Sequence, residues 1–257
     1  MMPVRLSPKA TRNPAIVEHA RLEGESNIAW FQRVHPEPIK GVTVLLVGGC
    51  NLTSFRLRAA QSHMRIDMFP SFWSHAAIVV PSTSKKAVAW VWEASIEPVD
   101  GFHACTARNG IARVALADYD SAARYPNIAF LRFPGADPKE VVAGIEILRK
   151  ARLVVDLISP LVEWLGYAWG AHGNTNPLLR GHAIPSAALV EQAFGQARCD
   201  VTPGSDSSAT CPEALWQAAL WWSEFYGQTT RSNRKETSAT PTGIFVISQP
   251  AAAATHE

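Results

Sequence analysis

A histidine and a carboxylate on facing strands, with a serine at the first turn of a helix, are the side chains an acyl-transfer site needs. The stretch Ser71–Ser95, S-F-W-S-H-A-A-I-V-V-P-S-T-S-K-K-A-V-A-W-V-W-E-A-S, carries the first two. Its pattern predicts strands over His75–Val80 and Ala87–Glu93, joined by a turn of Pro, Ser, Thr and Lys. Pairing Val80 with Val88 places His75 opposite Glu93 on one face, with their Cβ atoms about 4.5–5.5 Å apart. The other face then sets Ala76 across from Trp92 and Ile78 across from Trp90, small or branched against large. Taken alone, a His and a Glu at a strand end are more often a structural or solvated pair than a catalytic one.

Further along, I-P-S-A-A-L-V-E-Q-A-F predicts a helix that starts at Pro185 or Ser186 and buries Leu189, Val190, Ala193 and Phe194. The N-terminus of a helix offers free N–H groups and a positive dipole end, which favour an anionic nucleophile or a tetrahedral oxyanion. A serine hydroxyl there needs a general base within hydrogen-bond reach. The commoner use of a serine at such a point is an ordinary N-cap, and spacing leaves both readings open.

The remaining candidates are weaker. His172 and His182 lie in the loop entering this helix and could line a pocket or stand exposed. Asn174 and Asn176 could donate to an oxyanion or make turns. His103 and Cys105 are two apart but lack a helix N-terminus to activate the thiol. Cys199 falls at the far end of the Ser186 helix, about 20 Å away at 1.5 Å per residue. Cys211 takes the N-cap place of the next helix, opened by Cys211-Pro212-Glu213.

These residues must be positioned by a chain of 257 residues, long enough for a sizeable core. Its 24 basic and 22 acidic residues balance, which argues against a nucleic-acid surface. Four cysteines show neither C-x-x-C nor Cys/His metal spacing, so no metal, cofactor or disulfide framework is expected. The start has basic residues but no apolar core of a secretory signal, and no apolar window of about 18 residues predicts a membrane span. The chain is therefore expected to be soluble and cytoplasmic as synthesised, with any work elsewhere needing a dedicated export route.

The expected elements begin with a polar extension, residues 1–35, holding one short helix from Pro14 to Leu22. The main domain, residues 36–248, opens on a buried strand, Lys40–Gly48, then a short helix, Leu57–Met64, and the hairpin. Ile111–Leu116 and Asn127–Phe133 predict further strands. A helix follows from Asp137-Pro138 to Arg152, with a second helical stretch to Trp169 divided near Pro160. Gly243–Ser248 is a last strand, and the Ala-rich tail, residues 249–257, is expected to be disordered.

In order and texture, Lys40 to Tyr226 resembles the circularly permuted NlpC/P60 group of papain-like enzymes, the YiiX-like amidases and their relatives. The resemblance rests on the buried strand G-V-T-V-L-L-V, on Trp73-Ser74-His75-Ala76-Ala77-Ile78 for the S-H-x-x-I strand, and on Trp92-Glu93-Ala94. It continues in Ser186-Ala187-Ala188-Leu189-Val190 for the C-S-x-L-V helix, and in Pro212-Glu213-Ala214-Leu215 for the Pro-led helix that follows. It implies an α+β fold in permuted papain-like order, a mostly antiparallel, partly barrel-like sheet packed on the nucleophile helix. It also implies His75 as base, Glu93 as third member and Ser186 at the nucleophile position. Trp73, Asn174 and His182 are the accompanying candidates for substrate binding.

The departure is a serine where the family has cysteine. A Ser-His-Glu hydrolase, a protein that binds without cleaving, and a Cys→Ser substitution that traps substrate all accommodate it. The implied activity is amide hydrolysis through an acyl-enzyme, on a peptide or peptidoglycan-type bond. The alternatives are a silent binding module and lipid or ester acyl chemistry, as hydrolase or acyltransferase. Attack on cell walls would make the protein an exported effector, with an export machinery or an immunity protein as its expected partner.

Overall fold

A computed structural model describes residues 15–36, 42–80, 89–96, 110–150, 162–170, 175–204, 209–229 and 240–248. The expected disordered tail, His103, Cys105, His172 and Asn174 lie outside them.

The chain is mixed α+β, built on a seven-stranded open sheet in the order β1-β7-β6-β2-β3-β4-β5. The strands are β1 (Ile16–Glu18), β2 (Thr43–Gly48), β3 (His75–Val80), β4 (Trp90–Glu93), β5 (Ala112–Ala115), β6 (Asn127–Arg132) and β7 (Thr242–Ile247). Neighbours are antiparallel except β1 with β7, which run parallel. The helices are α1 (Asn27–Val34), α2 (Leu52–Ala60), α3 (Pro138–Lys150), α4 (162–168), α5 (Pro185–Gln196) and α6 (Pro212–Thr229). Among the described residues the sheet does not close, so the expected barrel-like curvature is corrected to an open sheet with β1 and β5 at its edges. No helix among the described residues is long and apolar enough to cross a membrane.

Strand β2 sits near the middle because all six of its residues are buried, the pattern of a strand covered on both faces. Leu46, Ala76, Ile78, Trp92 and Ala129 face a core shared with α3, α5 and α6. Leu45, Val47, Ala77, Val79 and Val91 face a second core made by Trp30 and Phe31 of α1 with Leu116 and Tyr119. At the end of β2, a Cβ on Gly48 would stand 1.9 Å from the Phe72 carbonyl oxygen. Only glycine lets the segment before His75 pass so close.

Two expectations are corrected. The helix expected over Pro14–Leu22 is strand β1, and α1 follows it, capped by Ser26 Oγ accepting from Ala29 N–H at 3.3 Å. This segment joins the sheet and a core, since β1 pairs with β7 and Trp30 is fully buried. The β3–β4 register also differs by two residues: Ile78 pairs with Trp92 and Val80 with Trp90. Because side chains alternate with period two, a shift of two leaves His75 and Glu93 on the same face.

Candidate active site

His75 is the first residue of β3 and Glu93 the last of β4, so both stand where the sheet ends. His75 Nε2–H donates to Glu93 Oε2 at 3.0 Å. Tyr119, on the 3-10 turn Leu116–Tyr119, donates its hydroxyl to the same carboxylate oxygen. Its ring also stacks on His75, with centroids 6.2 Å apart and planes 17° from parallel. The imidazole is thereby held in plane by one contact and in orientation by another.

Burial pulls the Glu93 carboxyl upward, but the hydrogen bond and charge of His75 and the Tyr119 hydroxyl outweigh it. The net result lies below the ordinary carboxylate value, so Glu93 is an anion at neutral pH. An ionised carboxylate only accepts hydrogen bonds, so Nε2 of His75 carries the proton of that contact and Nδ1 is the ring nitrogen not engaged by Glu93. Tyr119 remains a neutral donor, because burial first and the Glu93 charge second push its phenol well above its ordinary value.

Ser186 reaches this place from the opposite side of the sheet. Helix α5 packs on the face of Ala76 and Ile78, whereas His75 shares the alternate face with Ala77. Ile184 is the N-cap of α5, Pro185 is the first helical residue and Ser186 the second, so Ser186 is not the cap. Its Oγ accepts from the backbone N–H of Ala76 at 3.3 Å, pinning it to the residue that follows His75. Among the described residues, no hydrogen bond joins that hydroxyl to the His75 ring, and Ser186 is only 1 % exposed.

His75, Glu93, Tyr119 and Ser186 line one small cleft of about 40 Å³, together with Arg124 and Tyr125. The other sequence candidates fall elsewhere. Trp73 is fully buried, its ring 5.1 Å from Trp216, and is corrected from a substrate contact to a core residue. His182 does not line the cleft; its Nδ1–H donates to Glu163 Oε2 at 2.7 Å, tying the segment ahead of α5 to α4. Asn176 is structural as well, capping the turn at Leu178 N–H and donating to the Ala60 carbonyl.

Cys199 and Cys211 are poor substitutes for a nucleophile at position 186. Burial pushes the Cys211 thiol up to about 12, and burial with Asp200 raises Cys199. Tyr119 and Arg124 went unnoticed in the sequence because neither sits in a motif. The available signal for Tyr119 was a polar-tipped aromatic directly after a strand, at L-A-D-Y. Comparison with protein-family models, curated proteins and solved structures finds no match to this chain.

Proposed function

We propose that the chain is a hydrolase that cleaves an amide bond through an acyl-enzyme on Ser186, in a permuted papain-like arrangement. The observation that carries the reading is the buried His75–Glu93–Tyr119 chain of contacts, opening on a cleft that also holds a helix-borne hydroxyl. In the proposed step Nδ1 of His75 takes the Ser186 proton as Oγ attacks the carbonyl carbon. Anionic Glu93 stabilises the imidazolium that forms, and the proton then passes to the leaving amine. Pro185 has no N–H, so the Ser186 amide is the first donor at the N-terminus of α5 and would serve a developing oxyanion. Water then releases the acyl group by the same base catalysis.

Peptide and peptidoglycan fragments are the substrates this reading favours, with ester or lipid acyl groups as the variant chemistry. The test is turnover of such fragments by the wild-type chain and by Ser186→Ala. Loss in the variant supports the reading, and equal rates reject it.

A second reading, a silent binding groove, draws on a specific observation. The Ser186 hydroxyl is held by Ala76 N–H, not by the base. Catalysis requires that contact to loosen or to serve as an oxyanion-side donor, whereas binding alone requires neither.

A further inference from the structure

Arg124 stands at the mouth of the same cleft, between the Leu116–Tyr119 turn and β6. Its backbone is anchored on both sides: its N–H donates to Ser121 Oγ at 3.2 Å, and its carbonyl accepts from Cys50 N–H at 3.3 Å. The guanidinium lies 5.2 Å from the centroid of the Tyr125 ring. That cation–π contact fixes the group without using up its planar fork of donors. No ion pair among the described residues involves Arg124.

Among the described residues, Glu93 is the one carboxylate lining the cleft, and His75 and Tyr119 already engage it. Among the described residues, the mouth therefore carries a guanidinium with no carboxylate at ion-pair distance. A guanidinium fork matches the geometry of a planar carboxylate. A phosphate dianion asks for a second cation, and apart from His75, already paired with Glu93, the lining residues supply none. We propose that Arg124 sets specificity by binding a side-chain carboxylate of the substrate, so that the site selects acidic peptides. The amide-hydrolase reading determines which bond is cut; the Arg124 subsite concerns only what is held.

The test compares acetyl-Gly-Glu-Gly-amide with acetyl-Gly-Gln-Gly-amide, which differ by one carboxylate. Titration calorimetry on Ser186→Ala keeps turnover out of the measurement. The Glu peptide is expected to bind about tenfold more tightly, equivalent to about 1.4 kcal/mol. That preference should shrink with added salt and fall to a ratio near one in Ser186→Ala/Arg124→Gln. Equal affinity for the two peptides, no binding of either, or a preference that survives Arg124→Gln overturns the proposal. A clear Glu preference in a wild-type chain that cleaves neither peptide supports the Arg124 subsite and rejects the hydrolase reading. Cleavage of both at equal kcat/KM does the reverse.

Discussion

Glu93 meets His75 diagonally across the β3–β4 pair. Carried on from Ile78 opposite Trp92, the register puts Ser95 level with His75 and Glu93 level with Ala77. Diagonal neighbours on one face lie about 7–8 Å apart at the backbone, within reach of two long side chains that lean toward each other. The 3.0 Å contact therefore depends on both side chains holding their lean, and Tyr119 supplies the restraint by gripping the carboxylate and stacking on the ring.

Tyr119→Phe isolates that restraint, since it keeps the stacked ring and removes the donor. The buried Glu93 carboxylate then loses a hydrogen bond, at a cost of about 1–3 kcal/mol in stability. Its protonation should move up toward the ordinary carboxylate value, and turnover should fall as the imidazole loosens. Carbon NMR titration of the Glu93 carboxyl, beside a urea melt, measures both. An unmoved titration would mean that Tyr119 only fills space.

Glu93→Gln preserves shape and removes charge. The imidazolium formed in the proposed step then has no counter-charge, and its tautomer is no longer fixed. A drop in kcat of about 10²–10⁴-fold is expected, by comparison with the loss of a triad aspartate. Steady-state kinetics with a parallel circular-dichroism spectrum separate this from misfolding. An unchanged rate and pH profile would remove Glu93 from the mechanism.

Acid should destabilise the fold through the same residue. The folded-state pKa of Glu93 is depressed, while in the unfolded chain a glutamate titrates near about 4.3. The stabilisation is complete above the unfolded value and disappears as pH falls through the depressed one, where both states are protonated. Urea midpoints are expected to be level above about pH 5 and to decline below it. Glu93→Gln should flatten that decline, and an identical acid limb in the variant would assign the loss to other carboxylates.

Trp73→Ala tests the corrected role of Trp73. The side chain is fully buried against Trp216, so truncation should cost about 3–5 kcal/mol in stability. A smaller core change, Trp73→Phe, should leave the affinity for peptide fragments unaltered. A weakened affinity in a stably folded Trp73→Phe chain would return this residue to the binding surface.

Much of this architecture was legible where the sequence repeats a physical pattern. The all-apolar run of β2, the Ile-Val-Val of β3 and the spacing of α5 each bury one continuous set of side chains, and those elements fell within a few residues of their places. Strand β1 was not legible, because three residues show no periodicity and its partner β7 lies at the other end of the chain. The hairpin register failed by two for a related reason. Alternation determines which face a residue takes, but the length of the turn determines its level, and composition does not reveal that length. His75, Glu93 and Ser186 stand out in the sequence because motif and periodicity agree on them, and all three line one cleft. Tyr119 and Arg124 come to the cleft by tertiary placement alone, on a turn and a loop with no spacing rule to expose them.

Position 186 decides between an enzyme and a silent groove. The field at this point, from the N-terminus of α5 and from the imidazole, suits a thiolate better than an alkoxide. Serine gains little from it in the ground state and relies on His75 only as its proton leaves. Ser186→Cys is therefore expected to raise or create turnover of amide substrates. Its thiol should react with iodoacetamide at about pH 6 at least about tenfold faster than free cysteine, as low-pKa thiols do. Cys199 and Cys211 form an internal control, because burial raises both thiols and should keep them unlabelled under those conditions. Mass spectrometry of the alkylated peptides reads the sites directly. If the Cys variant is as inert as Ser186→Ala and its thiol reacts no faster than free cysteine, the pocket does not activate a nucleophile. The contact from Ala76 N–H to Ser186 would then be the fixed end of a groove built to bind.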